Sequence, residues 1–288
     1  MTAIEFLEFQ KKNINKYLDA YLLTGDVEPS VIHEAIRYSV FSGGKRFRAA
    51  LCIAACDVFG GDVQKSLPVA GGIELIHTYS LIHDDLPCMD DDDLRRGKPT
   101  LHKAFAENIA VLAGDALNAL AFDLVSMSGD CRIIRALSHA IGTEGMIGGQ
   151  VADVMSCGWD SVEEKDVLFI HTRKTAALIN ASLTMGAMTA GASDSDIEII
   201  DGFGSRIGLA FQIVDDVLDI VSSDEVLGKD VGSDEDLDKA TYPKVIGLDA
   251  SREKAKALVR EANGLLEGID RDTSVLSGLA DFVIERVN

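Results

Sequence analysis

The sequence predicts an all-α fold, a single large helical bundle, on three observations. Long segments repeat apolar residues at helical spacing, as in Ile4, Leu7, Ile14, Leu18 and Leu22 and again in Val31, Ile32, Ala35, Ile36 and Val40. Period-two alternation bounded by hairpin turns is missing. The punctuation also suits helices. Pro29 and Pro68 stand beside Ser30 and Ser66, where a first turn tolerates proline, and Gly43-Gly44 and Gly60-Gly61 can supply left-handed helix ends.

In chain order, helices are expected at 3–24, 29–42, 46–59, 66–85, 103–128, 131–155, 163–190, 195–223, 240–246, 251–268 and 273–286. The first two follow from the apolar sets just named. The third runs from the Gly43-Gly44 pair to Gly60-Gly61. The fourth begins near Pro68 and must stop before Pro87, since proline disfavours helical backbone in the residue ahead of it. The stretch 195–223 carries Phe211-Gln212-Ile213-Val214 and Ile220-Val221. No repeat at a fixed period is present, which excludes a solenoid.

The chain has 288 residues, of which 47% are hydrophobic, enough for a sizeable core. Prolines number five and no Ser/Gly-rich spacer interrupts the chain, so residues 1–288 read as one domain. A net charge of −20 argues against nucleic acid or an anionic membrane as partner, because both require clustered cations. The N-terminus, Met1-Thr2-Ala3-Ile4-Glu5-Phe6-Leu7-Glu8, has neither a basic n-region nor an apolar h-region. With no uninterrupted apolar run of about 18 residues either, a soluble cytoplasmic protein with no membrane insertion is expected. Five cysteines without a C-x-x-C pair indicate neither a disulfide framework nor a zinc site, and Cys52 and Cys56 read as small core residues.

Against that background two acidic motifs stand out: Asp84-Asp85-Leu86-Pro87-Cys88-Met89-Asp90 and Asp215-Asp216-Val217-Leu218-Asp219. Each puts carboxylates where folding alone would place leucine, and clustered charges against apolar surroundings require a cation. Oxygen donors without His or Cys favour a hard ion, and Mg²⁺ commonly binds through one or two carboxylates and the phosphates of a substrate. Asp215 and Asp219, four apart, share a helix face, while Asp216 lies one position round. Beyond Pro87, Asp90 is expected to return toward Asp84. Both motifs end an apolar stretch with a carboxylate pair, so two helices could present them across the core of a bundle.

Four compact basic sites complement the acids: Gly43-Gly44-Lys45-Arg46-Phe47-Arg48, Arg95-Arg96-Gly97-Lys98, His171-Thr172-Arg173-Lys174-Thr175 and Gly228-Lys229-Asp230. In so acidic a chain they suggest anion capture, since Arg offers a fork of donors to phosphate and Lys a point charge. His77, two turns before Asp84, shares its face.

The string from Leu81 to Thr100 resembles the first aspartate-rich motif of the trans-polyprenyl diphosphate synthases, and Gly208 to Asp219 resembles the second. Gly43 to Arg48, Gly148-Gly149-Gln150, Lys174-Thr175 and Lys239-Ala240-Thr241-Tyr242-Pro243 are similar to further marks of that family, in family order over nearly the whole chain. The resemblance implies an all-α fold of the isoprenoid synthase type around a deep central cavity, a homodimer, and head-to-tail joining of isopentenyl diphosphate to an allylic diphosphate. It assigns Lys45, Arg48, His77 and Arg96 to isopentenyl diphosphate. Arg95, Lys174 and Lys229 fall to the allylic diphosphate, with Thr175 and Gln212 beside the reacting carbon. Asp84, Asp90 and Asp215 become the leading ligands, and Asp85, Asp216 and Asp219 the supporting ones, for Mg²⁺, with three ions expected and Mn²⁺ an alternative. Ala49 departs from the proline that the family commonly has after the basic knot.

The chemistry implied is metal-assisted loss of diphosphate, attack by the double bond of isopentenyl diphosphate on the resulting cation, and loss of a proton. The released diphosphate is the candidate base. Tyr79 and Ser80, five and four residues before Asp84, lie about one turn down the same helix and are the expected stops for the growing chain. In this family an aromatic residue at Tyr79 resembles enzymes that stop at fifteen carbons, so farnesyl diphosphate is the expected product, with geranylgeranyl diphosphate the alternative. A terpene cyclase needs a single diphosphate site, against which Lys45 to Arg48 speak. A non-catalytic subunit would have lost aspartates or Lys174.

Overall fold

The computed structural model describes residues 1–157, 161–221 and 239–286. The described chain is all-α apart from one short hairpin. The helices are α1 (Ala3–Tyr21), α2 (Ser30–Val40), α3 (Phe47–Val58), α4 (Val63–Asp84), α5 (Leu101–Ala104), α6 (Glu107–Ser126), α7 (Cys131–Ile141), α8 (Met146–Ser156), α9 (Glu164–His171), α10 (Ala177–Thr189), α11 (Asp194–Val221), α12 (Tyr242–Ile246), α13 (Leu248–Leu266) and α14 (Ser274–Glu285).

α4 is apolar on nearly all sides and therefore lies inside the bundle, packed on α3, α6 and α10. α7 shows the opposite pattern, turning only the stripe Ile133, Leu137 and Ile141 inward. The other long central helix, α11, packs on α10 and α13 and buries Phe203, Ile207, Ile213 and Val217. Asp62 caps the start of α4 by accepting from the Gln64 amide. Pro68 falls in the second turn of α4, later than the first-turn position expected of it.

Three departures from the expected elements have local causes. The expected helix 131–155 breaks between α7 and α8 at a turn spanning Gly142 and Gly145, closed by the Gly145 amide on the Gly142 carbonyl. The expected helix 163–190 is continuous, but residues Thr172–Ala176 form a π-helical turn between α9 and α10. A two-residue antiparallel ladder, β1 (Leu94–Arg95) with β2 (Lys98–Pro99), pairs Arg95 with Lys98. Its turn residues Arg96 and Gly97 both have positive φ, 55° and 73°, as tight hairpin turns require. The end of the expected helix 195–223 lies outside the described residues beyond Val221.

Candidate active site

The C-terminal end of α4, the π-helical turn and the C-terminal part of α11 converge on one cavity of about 610 Å³. α4 brings Tyr79, Ser80 and Asp84 to its wall. The helix ends at Asp84, and the following loop folds back: the Asp90 amide donates to the Asp84 carbonyl at 2.9 Å and the Asp91 amide to that of Leu86 at 3.1 Å. Asp90 thereby faces the same cavity as Asp84. Across from them α11 supplies Gln212, Asp215 and Asp219.

Lys174 and Thr175 enter from the π-helical turn. Such turns widen a helix locally and re-aim its side chains. Two glycines allow neighbouring backbone to close on it: a Cβ at Gly149 of α8 would lie 2.2 Å from the Lys174 amide nitrogen, and one at Gly208 of α11 2.6 Å from the Ala176 Cα. Lys174 pairs with Asp153 of α8. Burial would lower the Lys174 pKa, but Asp84 and Asp153 outweigh it and the net direction is upward, so the ammonium is retained at neutral pH. Thr175 Oγ1 donates to Gln212 Oε1 at 2.6 Å.

Further basic residues stand on the same wall. Arg48, His77, Arg95 and Arg96 line the cavity with Phe211. Burial, then Arg48, Arg96, Arg46 and Arg95, hold the His77 pKa well below its ordinary value, so this ring is neutral. Asp84 is pushed the other way: burial raises its pKa and Asp90 adds to the effect, against Lys174. A site whose carboxylates are raised by burial and mutual repulsion favours entry of a cation.

Several expected site residues do not face the cavity. Asp85 is 3% exposed and turns away, accepting from Arg95 Nε at 2.9 Å, with its pKa pushed up to about 6, chiefly by burial. Arg95 also bonds Asp92 at 2.7 Å, so Asp85 serves to hold Arg95 in place. Asp216 is 2% exposed and accepts from Gln212 Nε2 and from the Tyr242 amide, each at 3.0 Å, with His171 Nε2 at 3.2 Å. Its two oxygens accept from protein groups and it does not line the cavity, unlike Asp215 and Asp219. Lys45 is an exposed residue at the margin, its ammonium 4.9 Å from the centroid of the Phe282 ring. Lys229, with Gly228 and Asp230, lies outside the described residues.

Three cavity residues, Gln150, Lys239 and Arg286, and the buried Asp153 behind Lys174 went unassigned from sequence or carry roles the motifs did not signal. Lys239 reaches Asp90 at 3.0 Å and Arg286 reaches Asp215 at 2.7 Å. Lys239 stands in the Lys239–Pro243 string already singled out, whereas nothing in the local pattern marks Arg286. Asp153 and Gln150 come together from α8, and Gln150 places both side-chain polar atoms, buried, against the cavity without a hydrogen-bond partner among the described residues.

Asp84, Asp90, Asp215 and Asp219 are oxygen donors of the kind Mg²⁺ takes, and Asp90 and Asp215 each already hold a cationic side chain. Among the described residues no three His, Cys, Asp or Glu side chains form a ready-made metal cluster.

The polyprenyl synthetase family profile matches residues 29–270. The large subunit 1 of the chloroplastic heterodimeric geranylgeranyl pyrophosphate synthase of Arabidopsis thaliana is 50% identical over 287 residues, covering 96% of this chain and 77% of the relative. Among solved structures, an FPP/GFPP synthase from Zymomonas mobilis is similar with a TM-score of 0.87 at 35% identity, covering 98% of this chain and 99% of the other. A geranyltransferase from Helicobacter pylori, complexed with magnesium and isoprenyl diphosphate, follows with a TM-score of 0.86 at 32% identity and coverages of 99% and 97%.

Proposed function

This chain belongs to the polyprenyl synthetase family and is a head-to-tail prenyltransferase, and we propose that it joins isopentenyl diphosphate to allylic diphosphates as far as geranylgeranyl diphosphate. The observation that carries the reading is the meeting of two carboxylate sets, the Lys174–Thr175 turn and several arginines in one cavity.

Asp84, Asp90, Asp215 and Asp219 would hold divalent metal, which when bound offsets negative charge on the departing diphosphate. Arg95 and Lys174 add fixed positive charge on the same side. Because Thr175 gives its hydroxyl proton to Gln212, the lone pairs of Thr175 Oγ1 remain free to face a carbon that becomes positive. Asp216, by accepting from Gln212 Nε2, turns the Gln212 carbonyl toward Thr175 and fixes that polarity. Phe211, Leu178 and Leu218 line the cavity and keep water from the cation. At the other end Arg48, Arg96 and neutral His77 hold the second diphosphate and aim its double bond.

The twenty-carbon product rests on the half-identical plant relative, which is named for geranylgeranyl pyrophosphate. A fifteen-carbon product is the second reading, favoured by Tyr79. Its ring is 7% exposed and meets His83 edge-on at 5.6 Å on the cavity wall, as a stop for a shorter chain would. We also propose a homodimer. α6 is long and apolar enough by length and composition to cross a membrane, yet it carries Asp115 and Asp123 and only 39% of its most apolar window is buried. A second copy would cover its exposed Val111 and Leu112. The test is a chain-length assay with labelled isopentenyl diphosphate and dimethylallyl, geranyl and farnesyl diphosphate in turn, with and without Mg²⁺. Metal-dependent product ending at twenty carbons supports the main reading, fifteen the second, and no incorporation removes both.

A further inference from the structure

We infer that the buried Arg46–Glu74 pair is the positioning device of the isopentenyl diphosphate end of the cavity, fixing the loop that presents Arg48 and Arg96 without itself touching substrate. The inference rests on the assignment of that end under the proposed function.

Arg46 stands between Lys45 and Arg48 in a basic knot whose charges all look alike in sequence, but its environment is different. Its side chain is 3% exposed and so is that of Glu74. The guanidinium ties three elements together: Nη1 reaches Glu74 Oε2 on α4 at 3.3 Å, Nε reaches Asn15 Oδ1 on α1 at 2.9 Å, and Nη2 donates to the Val40 carbonyl at the end of α2. Arg46 is also the residue from which α3 starts, with left-handed backbone at φ 56°. Anchoring its side chain therefore sets the direction in which the first turn of α3, and with it Arg48, leaves the loop.

Glu74 completes the hold from the other side. Its second oxygen, Oε1, accepts from the Ala49 amide at 3.1 Å, one of the first-turn N–H groups of α3 that has no partner within the helix. A carboxylate at that place acts as a cap supplied from another helix and also suits the positive end of the helix dipole. Arg96 joins the same unit, donating from Nη1 to the Gly43 carbonyl at 2.6 Å. The loop, the start of α3 and the β1–β2 turn are thus braced on one side chain of α4.

The charges explain why this pair matters to an anion. Arg46, Arg48 and Arg96 gather around His77, and Glu74 is the acid whose field favours charge on both Arg48 and Arg96. Both Glu74 oxygens are engaged, by Arg46 and by the Ala49 amide, so it steadies the other two arginines without capturing either. Arg48 Nε has no hydrogen-bond partner among the described residues, and its guanidinium lies 5.8 Å from the centroid of the Phe211 ring. Arg46 is consumed so that Arg48 and Arg96 stay available to phosphate.

The experiment compares Glu74→Gln, which keeps the shape and an acceptor for Ala49 while removing the charge, with Arg46→Lys, which keeps a cation but loses the fork. Isopentenyl diphosphate alone is titrated by calorimetry, both KM values and kcat are measured, and each variant is melted. The expected result is a rise of about tenfold or more in the Kd and KM for isopentenyl diphosphate in Glu74→Gln, the scale of a lost charge-assisted contact. The KM for the allylic diphosphate and kcat should stay within about threefold, and Arg46→Lys should show the smaller defect. If Glu74→Gln does not fold, Arg46→Lys carries the test with the same selective KM shift. Equal shifts in both KM values, or a lowered melting temperature with unchanged binding, would reduce the pair to a structural role and overturn the inference. Wild-type protein that fails to bind isopentenyl diphosphate would instead overturn the functional assignment on which it stands, and the inference with it.

Discussion

Tyr79 allows stability and product length to be tested on one side chain. Its hydroxyl is buried without a hydrogen-bond partner among the described residues, and burial, then Asp84, pushes its pKa up to about 12. Replacing it with phenylalanine deletes an unsatisfied polar group and should recover about 1–3 kcal/mol. At about 2–4 °C per kcal/mol for chains of nearly this length, Tyr79→Phe should melt at least about 2 °C above wild type. The ring remains, so the product should not change. Tyr79→Ala removes the ring and its edge-on contact with His83. Large-to-alanine changes in cores cost about 3–5 kcal/mol, and here the lower side applies because the ring already borders open space. Products should lengthen by at least one five-carbon unit relative to wild type. Thermal melts and the chain-length assay on both variants decide the matter. A lower melting temperature in Tyr79→Phe would mean that the hydroxyl is bonded after all, and an unchanged product range in Tyr79→Ala would remove the ring from the chain-length stop.

Other perturbations separate the roles of the acids. Asp85→Asn should act through Arg95, raising the KM for the allylic diphosphate with kcat largely kept, whereas Asp84→Asn should lower kcat about 10²- to 10³-fold; equal kcat defects in steady-state assays would return Asp85 to the metal set. Asp153→Asn strips Lys174 of a buried partner, at a cost of about 3–5 kcal/mol, and should lower both melting temperature and kcat. Burial opposes ionisation of Asp153, but Lys174 and Lys239 prevail and its pKa is lowered. Its contribution is therefore present above the ordinary Asp value of about 4 and lost as pH falls below it, so wild type and variant should converge in melts taken down through that range. Mg²⁺ with inorganic diphosphate at about 100 times Kd should stabilise the protein by about 2.7 kcal/mol, reversed by chelation, and an unchanged melt would remove metal from the cavity.

The helical bundle was legible because an apolar stripe at period 3.6 survives in any single sequence that must bury one face of a helix. The β1–β2 hairpin was not: two-residue strands leave no alternation to read, and Arg95-Arg96-Gly97-Lys98 looked like anion-binding charge while also being a turn. The split between α7 and α8 had a visible cause in Gly142 and Gly145, overridden by the apolar residues on both sides. The acids and bases of the site were recognisable as types, but their pairing was not. Asp153 meets Lys174 and Arg286 meets Asp215 across 21 and 71 residues of chain, contacts set by packing that no local pattern records.

The two aspartate pairs show how far helical geometry alone can sort a motif. Adjacent residues on a helix point about 100° apart, so the two members of each pair, Asp84 and Asp85 or Asp215 and Asp216, meet different surroundings. In each pair the first residue lines the cavity and the second is buried behind. The buried member then needs donors, because an unpaired carboxylate inside costs several kcal/mol. Asp85 finds them in Arg95, and Asp216 in Gln212 and the Tyr242 amide. Each of those donors except the Tyr242 amide is a side chain at or beside the cavity wall. The second aspartate thus organises the side chains among which the first one works. Glu74, ten residues before Asp84 on the same helix, does the same for the arginines: the acids that matter most to this cavity divide into those that face it and those that hold its cations still.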